Sequence, residues 1–180
     1  MSQKSYIIAK KWHEGQMYGE HDYMYHINNV WGRLITMDPR YYIISPKDVE
    51  CYFDVCCMHD IVEDTEMTLE SLKTLGFSDE VVSAIDAITK CAGESIPHYI
   101  SRVNKNEIAR SVKTADSLSN LEHSIAENNV RRIKKYKWQL ELLGYTGKYP
   151  DPIIAADIDD GGNIFTFTFN ELYGLPTELE

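Results

Sequence analysis

The chain has 180 residues, a formal net charge of −10 and 43% hydrophobic residues. That length suffices for one domain with a sizeable core, and the acidic balance argues against a global basic surface for nucleic acid. The longest apolar runs are too short to span a bilayer, and Met1-Ser2-Gln3-Lys4-Ser5 opens no secretory leader, so the expected setting is the cytoplasm, away from membranes.

Most of the chain reads as helix. Tyr6 to His13 forms a short apolar-polar segment ending near Gly15. Asp22 can cap a helix running to about Thr36, with Tyr25, Val30 and Leu34 among its apolar positions. Ser45-Pro46-Lys47-Asp48 is a helix start, with a capping serine, a proline at the first helical position and an early acid. That helix is expected to reach about Glu63 and, being apolar on most sides, to be central. Thr68 opens a short helix to Leu75 with Gly76 as its C-cap, and Ser78 caps the next, to about Lys90. Gly93 separates it from a segment around Pro97 to Val103. Asn106 then opens a helix to about Ile125, and Asn128 or Asn129 opens another to Leu143, ended by Gly144.

The composition changes after Tyr145. Pro150 and Pro152 break the helical pattern, Ile153 to Ile158 is a short apolar run, and Asp159-Asp160-Gly161-Gly162-Asn163 is turn chemistry. Ile164 to Phe169 alternates, with Phe165, Phe167 and Phe169 on one face. The expectation is a β-hairpin appended to the bundle, its phenylalanines covering the bundle or a second subunit of a homo-oligomer.

Chemistry concentrates in three places: His26, His59-Asp60 with Glu63-Asp64, and the stretch from Lys113 to Asn120. If the second is helical, its spacing gathers an imidazole and three carboxylates toward one side, where the carboxylates repel unless a cation sits among them. A hard or borderline divalent metal accepts both imidazole nitrogen and carboxylate oxygen. Asp116, Asn120 and His123 share one face of a segment that otherwise reads as core, and a carboxylate buried there needs a partner or a metal. Blander readings stand beside these: His26 as a satisfied histidine, Asp116 paired with Lys113 or Arg110, Glu63 and Asp64 as solvated residues closing a helix. Cys51, Cys56 and Cys57 read as buried thiols, and the run Arg131 to Lys137 as the solvated face of a helix.

Taken together, the segments His13-Glu14-Gly15-Gln16, Tyr23-Met24-Tyr25-His26, Met58-His59-Asp60-Ile61-Val62-Glu63-Asp64-Thr65, Ile88-Thr89-Lys90 and Ala109 to Leu121 resemble, in order, the motifs of the HD-domain phosphohydrolases. More narrowly they resemble the (p)ppGpp hydrolase domains of the RelA/SpoT type and their small stand-alone relatives, over about residues 6 to 143. The resemblance implies an all-α HD-domain helical bundle, taken as residues 1–145; residues 146–180, with the small C-terminal β-hairpin, lie outside the resemblance and are expected to pack as an extension on the same domain. It implies one divalent metal, usually manganese (Mn2+), on His26, His59, Asp60 and Asp116. Glu63 and Asp64 would activate or orient the attacking water. Asn120 would lie against a nucleotide substrate, with Lys113 either adding charge near a phosphate or being an ordinary helix-surface lysine.

The chain departs from the family's pattern between the opening motif and His26, where it is one residue shorter and has Asp22 in place of a proline. The opening motif normally carries an Arg-Lys pair that helps hold the nucleotide, whereas Gln16-Met17-Tyr18-Gly19-Glu20-His21-Asp22 has no Arg or Lys. Tyr18 could stack on a base there, or be a surface tyrosine. The implied activity is hydrolysis of the 3′-pyrophosphate of guanosine tetra- or pentaphosphate. The alternatives are another nucleotide, such as a deoxynucleoside triphosphate, a nucleoside monophosphate or NADPH, and a non-catalytic nucleotide-sensing module.

Overall fold

A computed structural model describes residues 3–37, 45–147, 155–158 and 164–167, the last two segments as backbone alone. The elements are α1 (Lys4–Trp12), β1 (Met17–Tyr18), β2 (His21–Asp22), α2 (Tyr23–Met37), α3 (Pro46–Met58), α4 (Ile61–Asp64), α5 (Leu69–Thr74), α6 (Asp79–Ile88), α7 (Ile96–Val103), α8 (Glu107–Ala126), α9 (Val130–Leu142), β3 (Ala155–Ile158) and β4 (Ile164–Phe167). The described residues thus form the helical bundle expected.

Local chemistry places most of the helix starts. Side-chain oxygens of Ser45, Thr68, Ser78, Ser95, Asn106 and Asn129 each accept from a first-turn amide three residues on. Asp22 Oδ1 does the same for the Tyr25 amide at 3.2 Å. Each such bond satisfies a donor that the helix itself leaves without a partner. Of the two asparagines that could open α9, Asn129 is the cap. Asn128 takes the left-handed backbone (φ 53) that turns the chain out of α8, a conformation asparagine tolerates better than most residues.

Two expectations change. The helix expected from Pro46 to about Glu63 breaks at His59-Asp60, so that Ile61–Asp64 is a separate turn of helix. His59 Nδ1 meets the Cys56 carbonyl at 2.7 Å, engaging one of the last carbonyls of α3 with a side chain. The second change is a hairpin between α1 and α2 that the sequence pattern did not show. β1 and β2 pair antiparallel with Met17 opposite Asp22 and Tyr18 opposite His21. Two-residue strands carry too little alternation to be legible. Gly19 turns this hairpin at φ +60, and a Cβ there would meet the His123 ring at 3.1 Å, so glycine serves both the turn and the close approach.

In the extension, β3 pairs antiparallel with β4, Ala155 opposite Phe167 and Ile158 opposite Ile164, and the β3 backbone lies beside α2. The Phe165, Phe167 and Phe169 side chains lie outside the described residues.

The packing brings the site together. α2 lies along α8, α8 packs on α9, and α3 contacts α1, α2, α6 and α8. The main core holds Ile27, Val30, Trp31 and Leu34 of α2 against Phe53, Val55 and Met58 of α3 and Val112 and Ala115 of α8. A smaller cluster of Leu118, Leu121, Tyr136 and Leu140 joins α8 to α9. Cys51, Cys56 and Cys57 are buried free thiols, as expected, and Cys91 is exposed. Trp31 packs edge-on to Phe53 at 5.0 Å between ring centres, and this contact sets α2 against the helix leading into His59. Trp31→Ala is therefore expected to cost about 3–5 kcal/mol. Urea unfolding should show it as a lowered midpoint with an unchanged slope.

Candidate metal centre

Two helices and one helix break converge on a small polar cluster inside the bundle. α2 contributes His26, the α3–α4 junction contributes His59 and Asp60, and α8 contributes Asp116. His26, His59 and Asp116 are almost fully buried, with 1%, 1% and 3% of their surfaces exposed. Each offers one ligand atom, and these atoms all lie within 4.8 Å of one another. His26 Nε2 is 3.3 Å from Asp116 Oδ1, and His59 Nε2 is 3.8 Å from the same oxygen. Asp60 lies beside this triad, its Oδ2 3.0 Å from His59 Nε2 and 3.8 Å from His26 Nε2.

The donor set fits a divalent ion. A carbonyl can only accept, so the short contact from His59 Nδ1 to Cys56 puts the proton on that nitrogen and directs Nε2 at the carboxylates. That buried Nε2 has no hydrogen-bond partner among the described residues, although Asp60 Oδ2 lies 3.0 Å away. An imidazole lone pair facing two carboxylates needs either a proton or a cation between them. Two imidazoles and two carboxylates suit a borderline or hard divalent ion.

Without a cation, a proton takes that role. Burial opposes charge on His59, but Asp60 and Asp116 outweigh it and hold the imidazole up at about 9. Asp116 is also opposed by burial, yet Lys113 and the two histidines keep its carboxyl well below the ordinary carboxylate range. Asp60 is likewise lowered against burial, chiefly by His59. Asp64 goes the other way, pushed up by desolvation and by the neighbouring Asp60.

The other expected site residues are placed as follows. Lys113 is neither a surface lysine nor a free cation: its Nζ is 2.7 Å from Asp116 Oδ2 and lies over the Tyr99 ring at 5.6 Å. The Asn120 amide is heavily engaged. Its Nδ2 donates to Asp116 Oδ1 at 2.5 Å and to the Asp116 carbonyl at 3.1 Å, and its Oδ1 accepts from the Tyr18 hydroxyl at 3.0 Å. The Tyr18 ring stacks on His26 and meets His123 at a tilt, so it contacts two imidazoles. Glu63 Oε2 accepts from the Lys90 amide at 3.0 Å, which turns it toward the loop after α6.

Two features were not singled out in the sequence. Tyr23 donates its hydroxyl to Asp60 and lies 3.4 Å from Asp64 Oδ2, joining the carboxylate beside the histidines to an exposed one. Its i, i+3 spacing to His26 on α2 was the available signal. Gln16 and His13 brace this corner: the His13 ring stacks on Tyr23 at 4.3 Å, and Gln16 Nε2 donates to the Asp64 carbonyl. Arg132, from the run read as a solvated helix face, reaches within 3.5 Å of Asn120 Oδ1 and ion-pairs with Glu127 at 2.9 Å. No sequence pattern says which side of α9 faces α8.

The charge on His59 generates a measurable expectation. A pKa held above the ordinary 6.5 stabilises the metal-free fold fully below that value, and the contribution is lost as pH rises through about 9. A cation needs the nitrogen lone pair, so binding of Mn2+ at pH 7 should release about one proton, and affinity should climb as pH rises toward 9. Titration calorimetry in buffers of different ionisation heat reads that proton; a binding heat independent of buffer would remove His59 from the ligand set.

No family model matches the chain. Among curated proteins it is similar to a GTP pyrophosphokinase of Streptomyces coelicolor, at 26% identity over 180 residues covering 82% of this chain and 20% of that protein. The chain thus spans about a fifth of the length of the curated relative it matches. A solved structure described as a metazoan ortholog of SpoT that hydrolyzes ppGpp and plays a role in starvation responses superposes with a TM-score of 0.62 at 22% identity, covering 82% of this chain and 87% of the other. The likeness to that structure is one of architecture: the chain shares its helical fold.

Proposed function

We propose that this protein is a metal-dependent phosphohydrolase that removes the 3′-pyrophosphate of guanosine tetra- or pentaphosphate, leaving GDP or GTP. One observation carries the reading: His26, His59 and Asp116, remote in sequence, bring ligand atoms within 4.8 Å of one another inside an HD fold. One similar protein is described as hydrolysing ppGpp and another is named as a GTP pyrophosphokinase, so guanine nucleotides appear in both descriptions. Hydrolysis is preferred over synthesis because the residues beside the triad are carboxylates suited to a water nucleophile.

In this reading His26, His59, Asp60 and Asp116 hold one divalent ion, Mn2+ being the usual choice of the family the sequence resembles. When bound, such an ion acidifies water and screens phosphoryl charge. Asp64, its proton affinity raised by desolvation and by Asp60, accepts the proton of the attacking water. Tyr23 keeps that carboxylate in register with Asp60. Glu63, anchored on the Lys90 amide, orients the same water. The water oxygen forms a bond to phosphorus as the bond from phosphorus to the 3′-oxygen breaks, the proton taken up by Asp64 passes to that 3′-oxygen, and pyrophosphate separates from GDP or GTP. Lys113 holds Asp116 in place and leaves positive charge near the phosphates. Residues 1–145 are the catalytic unit in this proposal and 146–180 an extension of it, acting on a nucleotide in the cytoplasm. Among the described residues no helix is long and apolar enough to cross a membrane.

A second substrate reading has its own support. No Arg or Lys lies between Gln16 and Asp22, and the Tyr18 ring already packs against two imidazoles, so the base cannot be held in the way the resemblance implies. Another nucleotide would then be the substrate of the same chemistry.

Protein loaded with Mn2+ is expected to release pyrophosphate from ppGpp, and a panel of nucleotides is expected to show ppGpp as the preferred substrate. Retained metal binding without pyrophosphate release would remove this substrate, and turnover of a different nucleotide would favour the second reading. Glu63→Gln and Asp64→Asn should each lower turnover by about 10²–10⁴-fold while leaving Mn2+ affinity near that of the unaltered protein. Unchanged turnover in either variant would take that carboxylate out of the mechanism.

A further inference from the structure

Metal-ligating imidazoles need their rings held in one orientation, and the usual means is a hydrogen bond from the nitrogen that does not face the ion. His59 has that support, through Nδ1 and the Cys56 carbonyl at 2.7 Å. His26 does not. Its Nδ1 is buried and has no hydrogen-bond partner among the described residues, although its Nε2 points at Asp116 and Asp60. Something other than a hydrogen bond must keep this ring from turning.

The ring that lies on it is Tyr18. The two planes are 4.5 Å apart between centres and only 19° from parallel, an offset-stacking geometry, and Tyr23 meets His26 edge-on at 5.5 Å. Tyr18 is itself constrained on its other sides. His123 packs against it at 4.6 Å, and His123 Nε2 is 3.0 Å from Glu127 Oε1. Gly19, next in the chain, allows this approach, since a Cβ there would lie 3.1 Å from His123 Cε1. The Tyr18 hydroxyl donates to Asn120 Oδ1 at 3.0 Å, and the same amide donates to Asp116 Oδ1 at 2.5 Å.

We propose that Tyr18 is a positioning residue for the metal centre. Its ring supplies to His26 the orientation that a hydrogen bond supplies to His59, and its hydroxyl steadies Asp116 through Asn120. The β1–β2 hairpin is then a built part of the centre, and the position where the opening motif would carry cations is given over to holding a ligand. This inference rests on the metal reading advanced above.

The test is the dissociation constant for Mn2+, followed by electron paramagnetic resonance, together with the melting temperature of the metal-free protein. Tyr18→Leu removes both ring and hydroxyl and is expected to weaken Mn2+ binding by about 10- to 100-fold, the range found when such supports are removed. Tyr18→Phe keeps the stack and should lose less than about 10-fold. Metal-free melting temperatures should stay close to that of the unaltered protein, which separates positioning from loss of fold. Tyr18→Met fills the space without an aromatic face and serves if the leucine variant does not fold. Binding of Mn2+ to the leucine or methionine variant as tight as to the unaltered protein overturns the inference. His26→Ala distinguishes the two failures. If it weakens binding while Tyr18→Leu does not, only the role of Tyr18 falls. If His26→Ala also binds normally, the metal reading falls with it.

Discussion

Asp116 sits in the middle of α8, the longest helix, with 3% of its surface exposed. A carboxylate so placed is unfavourable unless positive charge and hydrogen bonds surround it. Lys113 reaches it from one turn back, Asn120 from one turn ahead, and the imidazoles of His26 and His59 from two other helices. Each approach dictates a piece of the architecture. α2 must lie along α8 to deliver His26, and α3 must end where His59 can face the same oxygen. The packing of Trp31 on Phe53 and the apolar faces around it meet those demands.

The break between α3 and α4 is part of the same constraint. A continuous helix would have projected His59, Asp60, Glu63 and Asp64 in fixed rotation from one axis. The interruption lets Asp60 approach both histidines while Glu63 turns to the Lys90 amide and Asp64 meets the Tyr23 hydroxyl. Carboxylates that would repel one another on a single helix face are thereby given separate partners. Their proton affinities also part, Asp60 lowered by His59 and Asp64 raised by desolvation and by Asp60. Carboxylates of opposite tendency in one pocket suit the separate tasks of holding a cation and accepting a proton.

Much of this was legible one residue at a time. Serine, threonine and asparagine caps marked the helix starts because that signal lies within a single turn of chain. The polar residues of α8 stood out because Asp116 and Asn120 interrupt an apolar pattern at helical spacing. Lys113 could be read as a partner of Asp116 or as surface charge, and the i, i+3 pairing decides for the partner. Tyr18 could be read as a surface ring or as a platform for a base; its packing between His26 and His123 is a contact across more than 100 residues on one side, and local spacing carries no information about it. Arg132 was hidden for the same reason, since its approach to Asn120 depends on how α9 lies on α8.

By itself, then, the order of residues determined where helices begin, which side chains bear charge or imidazole, and that such side chains concentrate at His59-Asp60 and around Asp116. Those properties follow from short-range hydrogen bonding and from the cost of placing polar groups in apolar patterns. Only the folded chain decided that the α3–α4 break would set Asp60 beside the triad, that Tyr23 would join Asp60 to Asp64, and that an unforeseen hairpin would press Tyr18 onto His26. These depend on interhelical packing and on a backbone break, both settled by contacts between segments far apart in sequence.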